Sequence, residues 1–270
     1  MSTHRVRVGP LPAWLDRARL VGPGAWAWSD ETGEASLSTR EAADLAARLR
    51  GLTLAGHAVT VDVQPPLRRP AVRAARTEEA RRMRATTPGF THPGARLDEE
   101  GRRFLTPEAL ALELGRRADA LLGPDRLVLD ATCGCGGNAL GFARAGLRVL
   151  ACELDPERAA LARHNARTYG VAERVEVLTA DARTLVASTP ADLVFVDVPW
   201  GSHRDLGRLT ADDLPLLGEL LARVPPTTPC WLKLPAGFDP STLPGFVPEA
   251  IFGEADGDRR RVKLLLLRRD

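Results

Sequence analysis

Val-Leu-Asp-Ala-Thr-Cys-Gly-Cys-Gly-Gly-Asn (128–138) is the stretch whose reading decides the fold. A short apolar run ends in Asp130, and a turn containing Gly134, Gly136 and Gly137 follows. A helical pattern then begins at Asn138, runs over 139–145 and stops at Gly146. Strand, glycine-rich turn and helix in that order place a ligand at the carboxyl ends of parallel strands. Glycines in the turn accept positive φ and let the backbone approach the ligand. Amides at the start of the helix point at it.

Working outward, each following strand ends on an acid. The run 148–152 delivers Glu153, 23 residues beyond Asp130. That is close to the spacing of roughly 20 at which an acid grips both ribose hydroxyls. Asp155 caps a helix with Pro156 at its first position, and Gly170 closes it. The strand over 174–178 leads to Asp181, a candidate partner for an adenine amino group, and the strand over 192–196 leads to Asp197-Val198-Pro199-Trp200. Asp130, Cys133, Gly134, Gly136 and Asn138 of the turn thus become candidate binding residues, with Glu153, Leu154, Asp181, Ala182 and Asp197 on the later strands. The glycine turn alone also fits a dinucleotide site. Three acids at successive strand ends followed by Asp-x-Pro-Trp fit S-adenosylmethionine better. No Gly-x-x-x-x-Gly-Lys-Ser/Thr loop occurs, which argues against a nucleoside triphosphatase.

The Asp197–Trp200 turn points to a reaction. Methyl transfer from a sulfonium is an in-line displacement that needs a desolvated, aimed nucleophile. The lone pair of an exocyclic amine is delocalised into its ring, and an acceptor on the N–H returns density to nitrogen. Asp197 and the Val198 carbonyl are candidate acceptors. Trp200 offers a stacking plane for the base, and Pro199 stiffens the turn between them. The plainer alternative makes Asp197 a cap and Trp200 a core aromatic.

These residues resemble the trimethylguanosine synthase family, the RNA cap guanine-N2 methyltransferases. The resemblance rests on Asp130 with Cys133 to Asn138, on Glu153-Leu-Asp155-Pro156, on Ala162-Arg163-His164-Asn165-Ala166, on Tyr169-Gly170 and on Asp197-Val-Pro199-Trp200-Gly201. Upstream, Leu97-Asp-Glu-Glu-Gly101 and Thr106-Pro-Glu108 match the family's entry segment, so the likeness spans about 95–235. It implies a Rossmann-like, seven-stranded class I methyltransferase sheet with S-adenosylmethionine as cofactor. Thr106 would lie near the methionine end, Glu153 on the ribose, Asp181 near the adenine and Trp200 on the guanine. By the same resemblance Asp197, Pro199 and Trp200 are the catalytic turn. Thr132, Asp197 and Val198 depart from the family's Phe, Ser and Pro. The turn is thereby closer to the Asp-Pro-Pro-Tyr/Trp of amino-methyltransferases acting on DNA or other RNA. Methylation of an amine carries over; recognition of a cap does not.

Organisation outside that span is read from composition. The 270 residues fit a small α+β module (1–66), a basic helical linker (67–95) and the methyltransferase domain (96–270). In the module, 6–8, 25–28 and 58–63 read as strands and 38–50 as a helix. Trp14, Trp26 and Trp28 read as core. After the catalytic turn a helix is predicted over 212–224, a strand over 229–234, and a closing hairpin from 247–252 and 260–267. Of the 37 basic residues 35 are arginine, Lys233 and Lys263 being the exceptions. With abundant Ala, Gly, Pro and Leu, this bias points to a GC-rich bacterial genome. The overall charge is only +2, but residues 64–90 hold seven arginines against two glutamates. That segment fits phosphate tracking on an RNA, or equally a solvated helix. Cys133, Cys135, Cys152 and Cys230 lack zinc spacing, so no metal is expected and reduced thiols are. No run of 18 apolar residues and no leader pattern occur, so a soluble cytoplasmic protein is expected. Methylation of DNA, protein or a small molecule stays open, as does a non-catalytic RNA module that binds the cofactor.

Overall fold

The computed structural model describes residues 3–200 and 208–270. The amino-terminal part comprises β1 (Thr3–Gly9), α1 (Arg17–Val21), β2 (Ala27–Ser29), β3 (Thr32–Ser38), α2 (Thr39–Arg48), β4 (Thr53–Leu54), β5 (His57–Ala58) and β6 (Thr60–Gln64). An antiparallel sheet in the order β2-β3-β1-β6 is covered by α2. β1 alternates as a half-buried strand does, with Val6 and Val8 inward and Arg5 and Arg7 outward. α2 starts on a reciprocal box in which Ser38 and Glu41 bond each other's backbone amides. The sequence did not predict β3. Its inward side holds Gly33, Ala35 and Leu37, only one of them large, so the periodic signal is weak.

Next come α3 (Arg69–Arg82), α4 (Glu99–Phe104), α5 (Glu108–Leu122), β7 (Leu127–Asp130), α6 (Gly137–Arg144), β8 (Arg148–Glu153), α7 (Pro156–Thr168), β9 (Val175–Thr179), α8 (Ala182–Ser188) and β10 (Leu193–Val196). The chain ends with α9 (Pro215–Leu221), β11 (Cys230–Leu234), β12 (Val247–Phe252) and β13 (Val262–Arg269). Seven strands form one sheet, β9-β8-β7-β10-β11-β13-β12, in which β13 alone runs antiparallel to its neighbours. This is the seven-stranded, mostly parallel sheet that the resemblance implied. β10 and β11 are buried throughout, as strands covered on both faces are. The chain leaves β7 toward β8 and β9, then returns to the other side of β7 as β10. The crevice at that reversal is where such sheets bind ligands.

α5 and α6 cover one face of the sheet with Val128, Phe142, Phe195, Trp231 and Leu266 in a common core. Gly115 and Gly141 let these helices touch at backbone distance, since a Cβ on either would strike the other helix's carbonyl. The opposite face packs Leu129, Val194, Leu232 and Leu265 into one continuous cluster with Val6, Leu11, Leu37 and Leu45 of the amino-terminal part. The two-residue turn of the β4–β5 hairpin, Ala55 and Gly56 at positive φ, donates its amides to the carbonyls of Ala236 (2.9 Å) and Gly237 (3.1 Å). The β4–β5 hairpin therefore docks just past the carboxyl end of β11, on the ligand edge.

One predicted helix is shorter than expected. In place of 212–224 there is a 3-10 turn over Ala211–Asp213, and α9 begins at Pro215. Proline has no amide to continue the turn and forces the residue before it out of the α region. Leu214 accordingly sits at φ −124°, ψ 69°.

Candidate functional site

A cleft of about 790 Å³ opens at the carboxyl ends of β7, β8 and β10, a size that suits a nucleoside-scale ligand. Its floor is the glycine turn. Gly134 (φ 55°) and Gly136 (φ 92°) take the left-handed backbone that the turn requires, and Gly136 begins α6. Cys133 and Cys135 are buried in this turn as free thiols, and burial raises both above the ordinary thiol range. They are walls, not nucleophiles.

Glu153 stands at the tip of β8. Its two oxygens accept the amides of Gly134 (3.0 Å) and Asp155 (2.9 Å), and each carboxylate oxygen keeps a second lone pair. Beside it Leu154 is 68% exposed, an apolar side chain laid open at the rim. Asp181 caps α8 and is clamped by Arg183 at 2.7 Å, which holds its carboxyl down at about 2. Ala182 is buried beside it and also lines the cleft. Thr106, Asn138, Pro199 and Trp200 line the cleft as well. Among the described residues, Thr106 Oγ1, Asn138 Oδ1 and Trp200 Nε1 are buried and find no hydrogen-bond partner. Such atoms are rare unless a ligand or water serves them, so the wall has polar positions to offer a bound molecule.

Two expectations change. Asp130 does not line the cleft: it is fully buried beneath the glycine turn. Burial and the nearby Asp197 push its carboxyl up to about 8, against the pull of the Thr132 amide and Lys233. It supports the floor as the last, buried residue of β7. The Asp197 carboxylate, in turn, is not free. Oδ2 accepts Lys233 Nζ at 2.6 Å and Asn138 Nδ2 at 3.1 Å, and the Asp197 amide donates to Thr132 Oγ1 at 3.1 Å. Burial raises the Asp197 carboxyl, and Lys233 and Asn138 pull it back. Gly201 lies outside the described residues.

Sequence reasoning missed three participants. Lys233, 3% exposed on β11, supplies the cation under Asp197 and stands 5.1 Å from the Trp200 ring. Phe104, at the end of α4, meets Trp200 edge-on at 6.3 Å. Arg158 on α7 ties the entry segment down through Asp98 (3.0 Å) and Glu100 (2.6 Å). A signal for Lys233 was available: one of two lysines in the chain, set inside the apolar run Cys-Trp-Leu-Lys-Leu. Among the described residues no group of acids, histidines and cysteines is placed to hold a metal, and no helix is long and apolar enough to cross a membrane.

Comparison with known proteins bears on this segment. Residues 125–207 match the model of a family described as RNA cap guanine-N2 methyltransferase. The trimethylguanosine synthase of Schizosaccharomyces pombe is 33% identical over 121 residues, 43% of this chain and 50% of that protein. A tRNA (guanine(10)-N2)-dimethyltransferase of Methanothermobacter thermautotrophicus is 32% identical over 103 residues, 37% of this chain and 30% of that protein. The chain therefore spans half the length of these curated relatives or less. Among solved structures, an RNA methyltransferase from Salinibacter ruber in complex with S-adenosyl-L-homocysteine superposes with a TM-score of 0.40 at 23% identity, covering 60% of this chain and 90% of that one. The segment that builds the cleft, from just before β7 to just past Trp200, thus matches the RNA cap guanine-N2 methyltransferase family, as its motifs implied.

Proposed function

We propose that this chain is an S-adenosylmethionine-dependent methyltransferase that acts on the exocyclic N2 amine of guanine in RNA. The observation that carries the reading is the pairing of a half-buried acceptor, Asp197, with the half-buried indole of Trp200 on the cleft wall beside the glycine turn and Glu153. The cofactor fits the residues present. Glu153 would take the ribose hydroxyls, Leu154 and Ala182 would flank the adenine, and Thr106 and the glycine turn would hold the methionine end. Bound there, it supplies an electrophilic methyl group. Trp200 stacks on the guanine, and Asp197 accepts an N–H of its amine through Oδ1. The methyl that the cofactor would supply would pass from sulfur to the amine nitrogen that Trp200 and Asp197 hold in place. Its proton is lost after transfer, so Asp197 acts as an orienting acceptor without being a strong base. Four buried, unpaired cysteines suit a reducing compartment such as the cytoplasm.

The RNA would lie along α3. Arg69, Arg73 and Arg76 recur at helical spacing on one exposed face, whereas Arg81 and Arg82 are engaged with Glu78 and Asp44. The segment following α3 reaches the β12–β13 loop on the ligand edge, where Gly257 donates to the Ala85 carbonyl. Replacing Arg69, Arg73 and Arg76 together by alanine is expected to raise KM for RNA about tenfold at moderate salt. The salt dependence of binding, log K against log salt, should become shallower by roughly 2, because three phosphate contacts at about 0.7 each are lost. Fluorescence-anisotropy titrations at several salt concentrations measure this, and an unchanged slope removes α3 from the interface.

Glu153→Gln keeps the side chain's shape but offers the ribose a weaker, half-donating partner. Loss of charge from one hydrogen-bonded acceptor is worth about 1.5 kcal/mol at the lower end, so affinity for S-adenosylhomocysteine should drop about tenfold by calorimetry. The activity itself is tested by tritium transfer from labelled S-adenosylmethionine to separated RNA, DNA and protein. Label in RNA supports the reading. Label confined to DNA or protein replaces the substrate, and cofactor binding without any label replaces the enzyme reading by a scaffold.

A further inference from the structure

The cation beneath the catalytic turn is the feature that family resemblance did not prepare. β11 is buried along its whole length, yet its fourth residue is a lysine. Burying an ammonium is costly unless it is paired and hydrogen-bonded, and an apolar residue of similar volume would fill the space at least as stably. Lys233 is well supplied: Nζ donates to Asp197 Oδ2 at 2.6 Å and to the Phe104 carbonyl at 3.2 Å, and it faces the Trp200 ring at 5.1 Å. Phe104 itself touches Trp200 edge-on. A single ammonium therefore joins β11, the turn after β10 and the end of α4 at the wall where the target base would sit.

We propose that Lys233 is the positioning residue of the methyl-transfer site, holding Asp197 and Trp200 in the arrangement that presents Oδ1 and the indole face to the base. The proposal rests on the reading of the cleft given above. Its chemical content is twofold. With Oδ2 taken by Lys233 and Asn138, the carboxylate is fixed about its own axis and only Oδ1 is left for the substrate. The ammonium also draws the carboxyl, which burial raises, back toward its ionised form, and a protonated carboxyl would be the wrong hydrogen-bonding partner for an amine. The groups around Asp197 are Asp130 from β7, Asn138 from α6, the Thr132 hydroxyl and Lys233 from β11, with Glu153 from β8 acting on Asp130. Among the described residues Lys233 is the one cation of that set. Burial raises the Asp197 carboxyl and Lys233 is the largest influence drawing it down. Removing the lysine moves the carboxyl further up.

The test compares wild type, Lys233→Met and Lys233→Arg on the RNA that the wild type labels, over pH 6–9.5, with S-adenosylhomocysteine affinity and thermal melts as controls. Lys233→Met should bind S-adenosylhomocysteine within about threefold of wild type, because Lys233 does not line the cofactor cleft. Its kcat should be about tenfold lower at pH 7, a smaller loss than follows removal of a preorganised partner that touches the reacting group itself. That deficit should close as pH rises, giving an ascending limb that the wild type lacks. Lys233→Arg keeps the charge and should keep the wild-type pH profile. A merely structural lysine would shift melting and rate together at every pH. A Lys233→Met enzyme with wild-type kcat, or with a lower kcat and an unchanged pH profile, overturns the proposal. Should Lys233→Met not fold, Lys233→Gln provides the same neutral substitution and the same two readouts. A wild type that labels no RNA contradicts the functional reading instead, so the two failures are distinct.

Discussion

Asp197→Asn is expected to lower kcat by about 10²- to 10³-fold, the range seen when one preorganised polar partner of a reacting group is removed. Affinity for S-adenosylhomocysteine should stay within a few-fold, because Glu153, Leu154 and the glycine turn are untouched. The substitution keeps the size of the side chain and removes its charge. An amide in that position can turn its NH₂ toward the substrate amine, and two donors then face each other. There is a second cost. Lys233 is 3% exposed and its ion pair with Asp197 is 2.6 Å long, so the variant leaves a buried ammonium without a counter-ion. Breaking one side of such a pair costs about 3–5 kcal/mol of stability. Asp197→Asn combined with Lys233→Met removes both charges and should regain most of the lost stability, but none of the lost rate. Chemical denaturation of the four proteins in the cycle separates the two effects. A double variant that recovers activity along with stability would mean that Asp197 serves only the fold.

Trp200→Ala should lower kcat/KM for RNA by about 5- to 150-fold, the equivalent of 1–3 kcal/mol of lost base stacking. Trp200→Phe should recover most of it, since a smaller aromatic face can still lie against Phe104 and Lys233. The cofactor gains nothing from this ring, so calorimetry with S-adenosylhomocysteine should give nearly the same Kd for all three proteins. The alanine variant is also expected to show a smaller tryptophan emission change than wild type when RNA is added. Equal loss of cofactor and RNA affinity would instead identify Trp200 as a structural wall of the cleft.

How much of this was legible in the sequence depended on whether the information was local. The glycine turn and the capped start of α7 at Asp155-Pro156 are written in neighbouring residues and lie within a residue or two of where they were expected, while the strand expected over 6–8 extends to Thr3–Gly9. Three acids at strand ends also gave the cleft, because strand ends in a parallel sheet converge whatever lies between them. Two kinds of feature were not legible. β3 owes its place to pairing with β1, Val6 opposite Ala35 and His4 opposite Leu37, and a strand of small residues says little on its own. Depth was the other. Asp130 and Asp181 both follow strands, yet one is sealed under the turn and the other stands at the rim engaged by Arg183. Lys233 combines both difficulties, since it meets Asp197 across 36 residues of sequence.

Digestion of RNA labelled by the wild-type protein, with the nucleosides resolved by mass spectrometry, tests the central claim most directly. The account predicts that the transferred methyl is recovered as N2-methylguanosine, and that Asp197→Asn incorporates about a hundredth as much. Recovery of the methyl on another base, on another position of guanine or on ribose would contradict it.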